Sequence, residues 1–290
     1  MAAVIDTLIQ GFLLGGLYAL FATGLSLAFG VMRFVNIAHG DFIVLGAYVA
    51  LAVLAVLPMP PFAAALVVVP VMAAAGYVVQ RYVLNRTLSR DPLPALLVTF
   101  GLSVIVQNVL LEVFSGDTRR LDAGALATAS ISLGGDLAIG VFPLLTLGIA
   151  VALILGLQLL FARTALGRAL RATSDDREIV QLMGVNPKLI YGLAMALASA
   201  TVGLAGVVLG MTKAFEPLLG PPQLLYAFEA VIIGGLGSLW GTLAGGMILG
   251  VAQTVGFRVD PGWGVLFGHL AFLGVLLLRP TGLFPKTRDR

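Results

Sequence analysis

Residues 7–31 read TLIQGFLLGGLYALFATGLSLAFGV, 25 positions without a charged side chain. A helix needs about 20 apolar residues to cross the hydrocarbon core, so this stretch is long enough to span it. Gly11, Gly15, Gly16, Gly24 and Gly30 punctuate it, and small residues let neighbouring membrane helices approach closely. The stretch predicts a helix packed against other helices. The composition extends that reading to the whole chain: 59% of residues are hydrophobic and 11% charged, with a mean hydropathy of +1.05. A soluble domain would carry about 25% charged residues. No repeated ten-residue alternation suggests a barrel, and helices are the remaining way to satisfy a backbone in lipid. The fold class is therefore all-α and polytopic, with eight to ten membrane segments.

The absence of cysteine removes disulfides, thiol chemistry and cysteine metal sites. The net charge of +3 lies in loops flanking the apolar runs, as the positive-inside rule expects, and does not point to nucleic acid. Asp6 precedes the first run with no basic residue and no small-residue cleavage pattern, so the N-terminus reads as a retained helix and not a signal peptide.

After residue 31, MRFVNIAHGDF brings Arg33, Asn36, His39 and Asp41 into the oil before residues 42–57 turn apolar again. Pro58 to Pro61 should end that helix and begin the next, because proline lacks the amide donor and suits a first turn. Residues 62–79 form a further span. The following loop holds Arg81, Arg86 and Arg90 against Asp91, which places it in the cytoplasm and makes the Asn85-Arg86-Thr87 glycosylation triplet accidental. Residues 95–115 cross back with Thr99, Ser103 and Gln107 on one helical stripe and Asn108 and Glu112 on an adjacent one. Such a stripe faces protein or water, serving interhelical bonding or a pathway. The loop 116–139, loose in composition, carries Arg119 and Arg120 against Asp117, Asp122 and Asp136 and is placed outside. Residues 141–162 return.

The segment from Arg163 to Lys188 is the one extended polar island, with eight charged residues in 26 positions. Residues 164–172 should form a short surface helix broken by Thr173-Ser174. Asp175, with Glu178 three residues later, should cap a second helix. Ile179, Leu182 and Met183 give it an apolar face, and Gly184 ends it. Asn186-Pro187 caps the next span, residues 189–210. Such an element either lies on headgroups or docks a soluble partner.

The last third poses a parity problem. Residues 212–223 should be external and the tail from Arg279, with Lys286, Arg288, Arg290 and Asp289, cytoplasmic. An odd number of crossings must join them, so residues 226–257 should fold as a hairpin at GGLGS (Gly234 to Ser238), followed by a span over 263–278. Glycine-broken segments over 30–46 and 234–250 hint at an internal repeat.

Four runs carry a family resemblance: GLSLAFGVMRFVNIAHGDFIVLGAY (24–48), GRALRATSDDREIVQLMGVN (167–186), AFEAVIIGGLGSLWGTLAGGMILG (227–250) and LLLRPTGLFP (276–285). In this order they resemble the LivH-type permeases of branched-chain amino acid ABC importers. The resemblance implies a single transmembrane permease domain over residues 1–290, in a bacterial inner membrane, with a cytoplasmic coupling loop at about 163–188. It implies a second, LivM-like permease, an external binding protein and two cytoplasmic ATPases that hold ATP and Mg; this chain has no GxxxxGK[ST] loop and is not itself an enzyme. Arg171, Asp175, Asp176, Glu178, Leu182, Met183 and Gly184 are then the ATPase contact. Asn36, His39, Asp41, Thr99, Ser103, Gln107, Glu229, Gly234, Gly235 and Gly237 are candidates for the translocation pathway or gate.

Bland readings stand beside these. Hydrogen bonding that stabilises a helix break accounts for Asn36, His39 and Asp41 better than a metal, since His269 is the only other histidine. His269 reads as a hydrogen-bonded packing residue. Glu229 is either paired or near the pathway, because an ion inside a membrane is costly. The glycines serve packing, a hinge or both. The competing functions are an ion-coupled secondary transporter with Glu112 or Glu229 as relay, an intramembrane enzyme using His39 and Asp41, and an ABC permease for urea or other amino acids.

Overall fold

The computed structural model describes residues 2–87, 93–134 and 137–284. Eleven α-helices follow one another among them: α1 (Ala2–Met32), α2 (His39–Val56), α3 (Pro61–Tyr82), α4 (Leu93–Phe114), α5 (Val141–Arg163), α6 (Ala165–Asp175), α7 (Arg177–Leu182), α8 (Pro187–Thr212), α9 (Gly220–Gly234), α10 (Leu239–Val259) and α11 (Gly264–Leu278). Seven of these, α1 to α5, α8 and α10, are long and apolar enough to cross a membrane, α3 counted with the turn that continues it. The helices α9 and α11 have 15 residues each, and α11 is a shorter apolar helix beside the seven. Arg90, Asp91, Asp136 and the tail charges Lys286, Arg288, Asp289 and Arg290 lie outside the described residues.

The first apolar stretch becomes the axis of the bundle. In α1, 83% of the most apolar window is buried, and in α8 72%, against 17% in α4 and 22% in α3 and α5. The chain thus sorts into central helices that see mainly protein and peripheral ones that leave apolar side chains such as Leu66, Leu97 and Leu159 exposed. Glycine permits the central contacts. A Cβ on Gly15 would stand 2.5 Å from the Cα of Met247 in α10, and one on Gly246 would stand 2.7 Å from the Gly15 carbonyl oxygen. The two backbones therefore touch, which is how membrane helices gain dispersion energy in the absence of a hydrophobic driving force.

Helix ends follow local chemistry. Pro61 opens α3 after an extended Pro60, as the proline pair requires. Arg33 ends α1 with φ +56°, and residues 34–38 return the chain into the protein. The His39 Nε2–H donates to the Phe21 carbonyl at 2.7 Å. Phe21 precedes Met32 by eleven residues, so α2 starts about 16 Å back from the end of α1. The expected hairpin at GGLGS is present: Gly235 and Gly237 turn the chain with φ of +101° and +78°, and α9 packs against α10. Leu283 and Phe284 donate their amides to the carbonyls of Ile233 and Gly234. The RPTGLF segment thereby satisfies carbonyls that end α9 without an intrahelical partner.

The loop 116–139, loose in composition, holds a short hairpin: β1 (Ser130–Gly134) pairs antiparallel with β2 (Leu137–Gly140), with Ser130 opposite Gly140 and Ile131 opposite Ile139. The alternation of serine with Ile131 and Leu133, followed by Gly134-Gly135, is a hairpin signal too short to stand out beside 20-residue apolar runs. The same loop is tied to the end of α8. Arg119 and Phe215 exchange amide-to-carbonyl bonds at 2.8 Å, and the Leu121 amide donates to the Gly210 carbonyl at 2.9 Å.

Candidate functional site

The polar island forms a continuous, mostly exposed element at the end of the bundle where α1, α5 and α9 finish. Thr164 caps α6, its hydroxyl accepting from the Gly167 amide at 3.0 Å. Gly167, Leu170 and Thr173 face inward. Thr173-Ser174 does not break this helix as expected, because both hydroxyls find carbonyls: Thr173 bonds Ala169 at 2.8 Å and Ser174 bonds Gly30 at 2.6 Å. The helix therefore runs on to Asp175, and the cap of α7 is Asp176, one residue later than expected. One Asp176 carboxylate oxygen accepts from the amides of Glu178 at 2.8 Å and Ile179 at 3.0 Å. Glu178 stands in the first turn, where its charge suits the positive end of the helix.

Helix α7 ends as expected on Gly184, with φ +80°. The Gly184 amide donates to Gln181 and the Val185 amide to Val180, the paired bonds of a Schellman motif. Val180 points inward, whereas Ile179, Leu182 and Met183 are 55%, 88% and 78% exposed. Arg171, Asp175, Asp176 and Glu178 are exposed too. All seven proposed coupling residues thus lie on one short, rigidly capped and accessible segment. Asn186 caps α8 through the Lys188 amide at 3.0 Å, and Asn85, the glycosylation candidate, donates its side-chain amide to the Lys188 carbonyl at 3.1 Å.

The proposed pathway residues fall into three places. The first surrounds the start of α2. The Asn36 side chain accepts from the Ala38 amide at 3.1 Å, and the Thr99 hydroxyl accepts from the Ile37 amide at 3.2 Å. Gln107 donates to Asp41 at 2.9 Å and to Ser103 at 3.1 Å. The stripe on α4 therefore faces protein, and its partner is the break between α1 and α2. Asn108 bonds its own helix at Val104, and Glu112 is exposed. Against this cluster stands the first turn of α9: a Cβ on Gly40 would collide with the Gly220 carbonyl, and one on Gly220 with the Asp41 carboxylate. Two helices thus begin side by side inside the bundle. Their amino ends carry partial positive charge, which suits the Asp41 carboxylate between them. Gln223 is fully buried and accepts from Lys213 Nζ at 3.5 Å; burial pushes the Lys213 ammonium below the ordinary lysine range.

The second place is Glu229, 1% exposed, about 13 Å further along α9. One carboxylate oxygen pairs with the His269 ring of α11, so Glu229 of α9 and His269 of α11 are partners. The third is the glycine turn. Gly234 packs on the Gly241 backbone, and a Cβ on Gly237 would stand 3.2 Å from the Gly30 Cα. The two glycine-broken segments noted in the sequence thus meet, with Ser174 beside them. Sequence reasoning missed Arg33, Ser174, Lys213 and Gln223; a serine at a helix end and a lysine just past an apolar span are signals too common to single out.

Residues 7–277 match the family described as branched-chain amino acid transport system / permease component. The chain belongs to that family. It is 30% identical over 297 residues to the high-affinity branched-chain amino acid transport system permease protein BraD of Pseudomonas aeruginosa, covering 97% of this chain and 96% of that one. It is 27% identical to LivH of Escherichia coli, with 97% and 96% covered, and 25% identical to a probable LivH of Methanocaldococcus jannaschii, with 92% and 88% covered. Among solved structures, PsaBC from Streptococcus pneumoniae in complex with Fab aligns with a TM-score of 0.50 at 16% identity, over 97% of this chain and 96% of that one; that likeness concerns the fold. This family member is a permease component of an ABC-type importer, a multi-pass inner-membrane protein.

Proposed function

We propose that the chain forms one half of a permease for branched-chain amino acids, working with a second, LivM-like permease, an external binding protein and two ATPases that carry ATP and Mg. The observation that carries this is the capped helix α7 with its exposed ridge. Leu182 and Met183 are 88% and 78% exposed on a helix fixed at both ends by hydrogen bonds. An apolar ridge held that rigidly is suited to a groove on a soluble partner. Its neighbour α6 is bonded to the end of α1, so movement of the island reaches the central helix. The interior cluster at Asp41 and the first turn of α9 then lies along or beside the path of the cargo, with the Gly234 to Gly237 turn as its hinge. The amino acid cargo is supported by the relatives named for it.

A purified complex reconstituted in liposomes with the ATPases and binding protein should take up L-leucine when ATP is supplied to the ATPases. Uptake by this chain alone on an ion gradient would refute the reading. Leu182→Glu with Met183→Glu should release the ATPases and leave a monodisperse permease.

A further inference from the structure

A cavity of about 590 Å³ opens beneath the island, walled by α1, α5, α6 and the glycine turn through Gly237 and Leu239. We propose that it binds a zwitterionic aliphatic α-amino acid from the island side of the membrane, as a regulatory site distinct from the cluster at Asp41. Its volume lies within the range of about 300–1,000 Å³ typical of small-molecule sites. The lining combines three kinds of surface such a ligand needs. Arg33 and Arg171 supply guanidinium groups for a carboxylate, a pairing that planar forks favour. Asp175 supplies an acceptor for an ammonium, and Leu27, Val31 and Phe161 supply an apolar wall.

Two further observations point to a ligand. The Ser26 hydroxyl is fully buried at the cavity and has no hydrogen-bond partner, although buried polar groups are ordinarily paired. Arg33 holds φ +56°, a conformation uncommon for residues other than glycine. One of its terminal nitrogens donates to the Ser174 carbonyl at 3.2 Å, which leaves most of its five donors available.

The position gives the site a consequence. Its walls include both the last turn of α6 and the turn at Gly237, the parts that meet at Gly30. An occupant bridging Arg33 and Asp175 fastens the island to α1, so accumulated cargo on that side restrains coupling. This regulatory role rests on the proposed cargo, whereas the binding site does not.

The test is binding of radiolabelled L-leucine to the purified full chain in detergent, with L-leucinol and isocaproate as competitors that each lack one charge. L-leucine should bind saturably, with both competitors at least about tenfold weaker. Arg33→Gln should weaken binding by about tenfold or more. Ala162→Trp, placed at an exposed position on the cavity rim, should abolish it while the protein elutes as the wild type does. Absence of binding to the wild type, or equal binding to both variants, overturns the proposal. If the assembled importer carries leucine and the free chain binds none, this inference fails alone. If the chain binds leucine here and the importer carries another solute, the cargo assignment fails and the site stands.

Discussion

The Ser174 hydroxyl donates to the Gly30 carbonyl at 2.6 Å, joining the last turn of α6 to the last turn of α1 across 144 residues of sequence. Gly30 in turn stands against Gly237, where an added Cβ would meet its Cα at 3.2 Å. One side-chain hydrogen bond therefore connects the exposed island, the central helix and the hairpin turn. Ser174→Ala removes the bond and frees a carbonyl at a helix end, where water can replace the donor. The expected stability change is about 0.5–1.5 kcal/mol. The expected functional change is larger: ATP hydrolysis by the assembled importer continues while uptake falls several-fold. Uptake and hydrolysis that fall together, or not at all, would show that force does not pass through this bond.

The cap of α7 separates two adjacent carboxylates. Asp176 accepts two amides, while Asp175 ends α6. Asp176→Ala should cost about 1 kcal/mol of local helix stability and weaken ATPase association measurably. Asp176→Asn should retain most of the association, because asparagine caps as well as aspartate. Asp175→Ala leaves the cap in place. Pull-down of the ATPases by the three variants at matched expression distinguishes the roles; equal loss in the two alanine variants would show that both carboxylates act as contacts and that the cap does not govern association.

Most of the architecture was legible because membrane spans announce themselves. A run such as 7–31 has one stable solution, and Pro61, Gly184 and Asn186 mark boundaries through backbone chemistry that acts locally. The hairpin at Gly234 to Ser238 was legible through charge parity, a global constraint. What escaped was set by tertiary contact. Thr173-Ser174 breaks a helix in isolation, but the Gly30 carbonyl that holds Ser174 lies 144 positions away, and the cap consequently moved to Asp176. The stripe Thr99, Ser103, Gln107 could be turned away from lipid, toward protein or water, but not assigned to Asp41 and Ile37 as partners. Likewise nothing local predicts that α2 begins against Phe21 or that Gly40 touches Gly220.

The Gly40–Gly220 contact leaves no room for a side chain. A methyl group on Gly40 meets the Gly220 carbonyl and stands 2.7 Å from the Leu224 amide nitrogen, and backbone cannot yield as a flexible side chain can. Overpacking of this kind costs about 1–3 kcal/mol. Gly40→Ala should therefore lower the denaturation midpoint in detergent, and Gly40→Val more so. Gly101, whose Cβ would meet nothing within 4 Å, is the control: Gly101→Ala should leave the midpoint unchanged or raise it.

Lys213 sits just past α8, its charge disfavoured by burial. Between its lowered folded value and the ordinary value of 10.5, the unfolded chain binds more protons than the folded one. Stability therefore rises with pH through that window. The contribution of Lys213 is a penalty at neutral pH that disappears as the group loses its proton. Lys213→Met should raise the denaturation midpoint at neutral pH and flatten its rise with pH on the approach to the ordinary lysine value of 10.5. An unchanged slope would show that the ammonium is solvated in the assembled protein.

Glu229 and His269 decide between structure and relay. The Glu229 side chain is 2% exposed and the His269 side chain 33%, so the carboxylate depends on its partner more than the imidazole does. Removing one member of a fully buried pair costs about 3–5 kcal/mol, but hydrogen bonds between membrane helices average about 0.6 kcal/mol. The buried carboxylate, whose second oxygen has no partner, places His269→Ala nearer the first figure, because that change strands a group with nothing else to hold it. Glu229→Gln keeps the shape and one acceptor for the His269 ring, and removes the titratable proton. A structural pair predicts that Glu229→Gln preserves ATP-driven uptake within about twofold while His269→Ala lowers the amount of folded protein, and that Glu229→Gln with His269→Ala recovers part of the loss. A proton relay predicts the reverse order, with Glu229→Gln abolishing uptake in a normally folded protein, since glutamine bonds but cannot carry a proton. With Glu112 exposed and Glu229 matched to a histidine, the first order is expected.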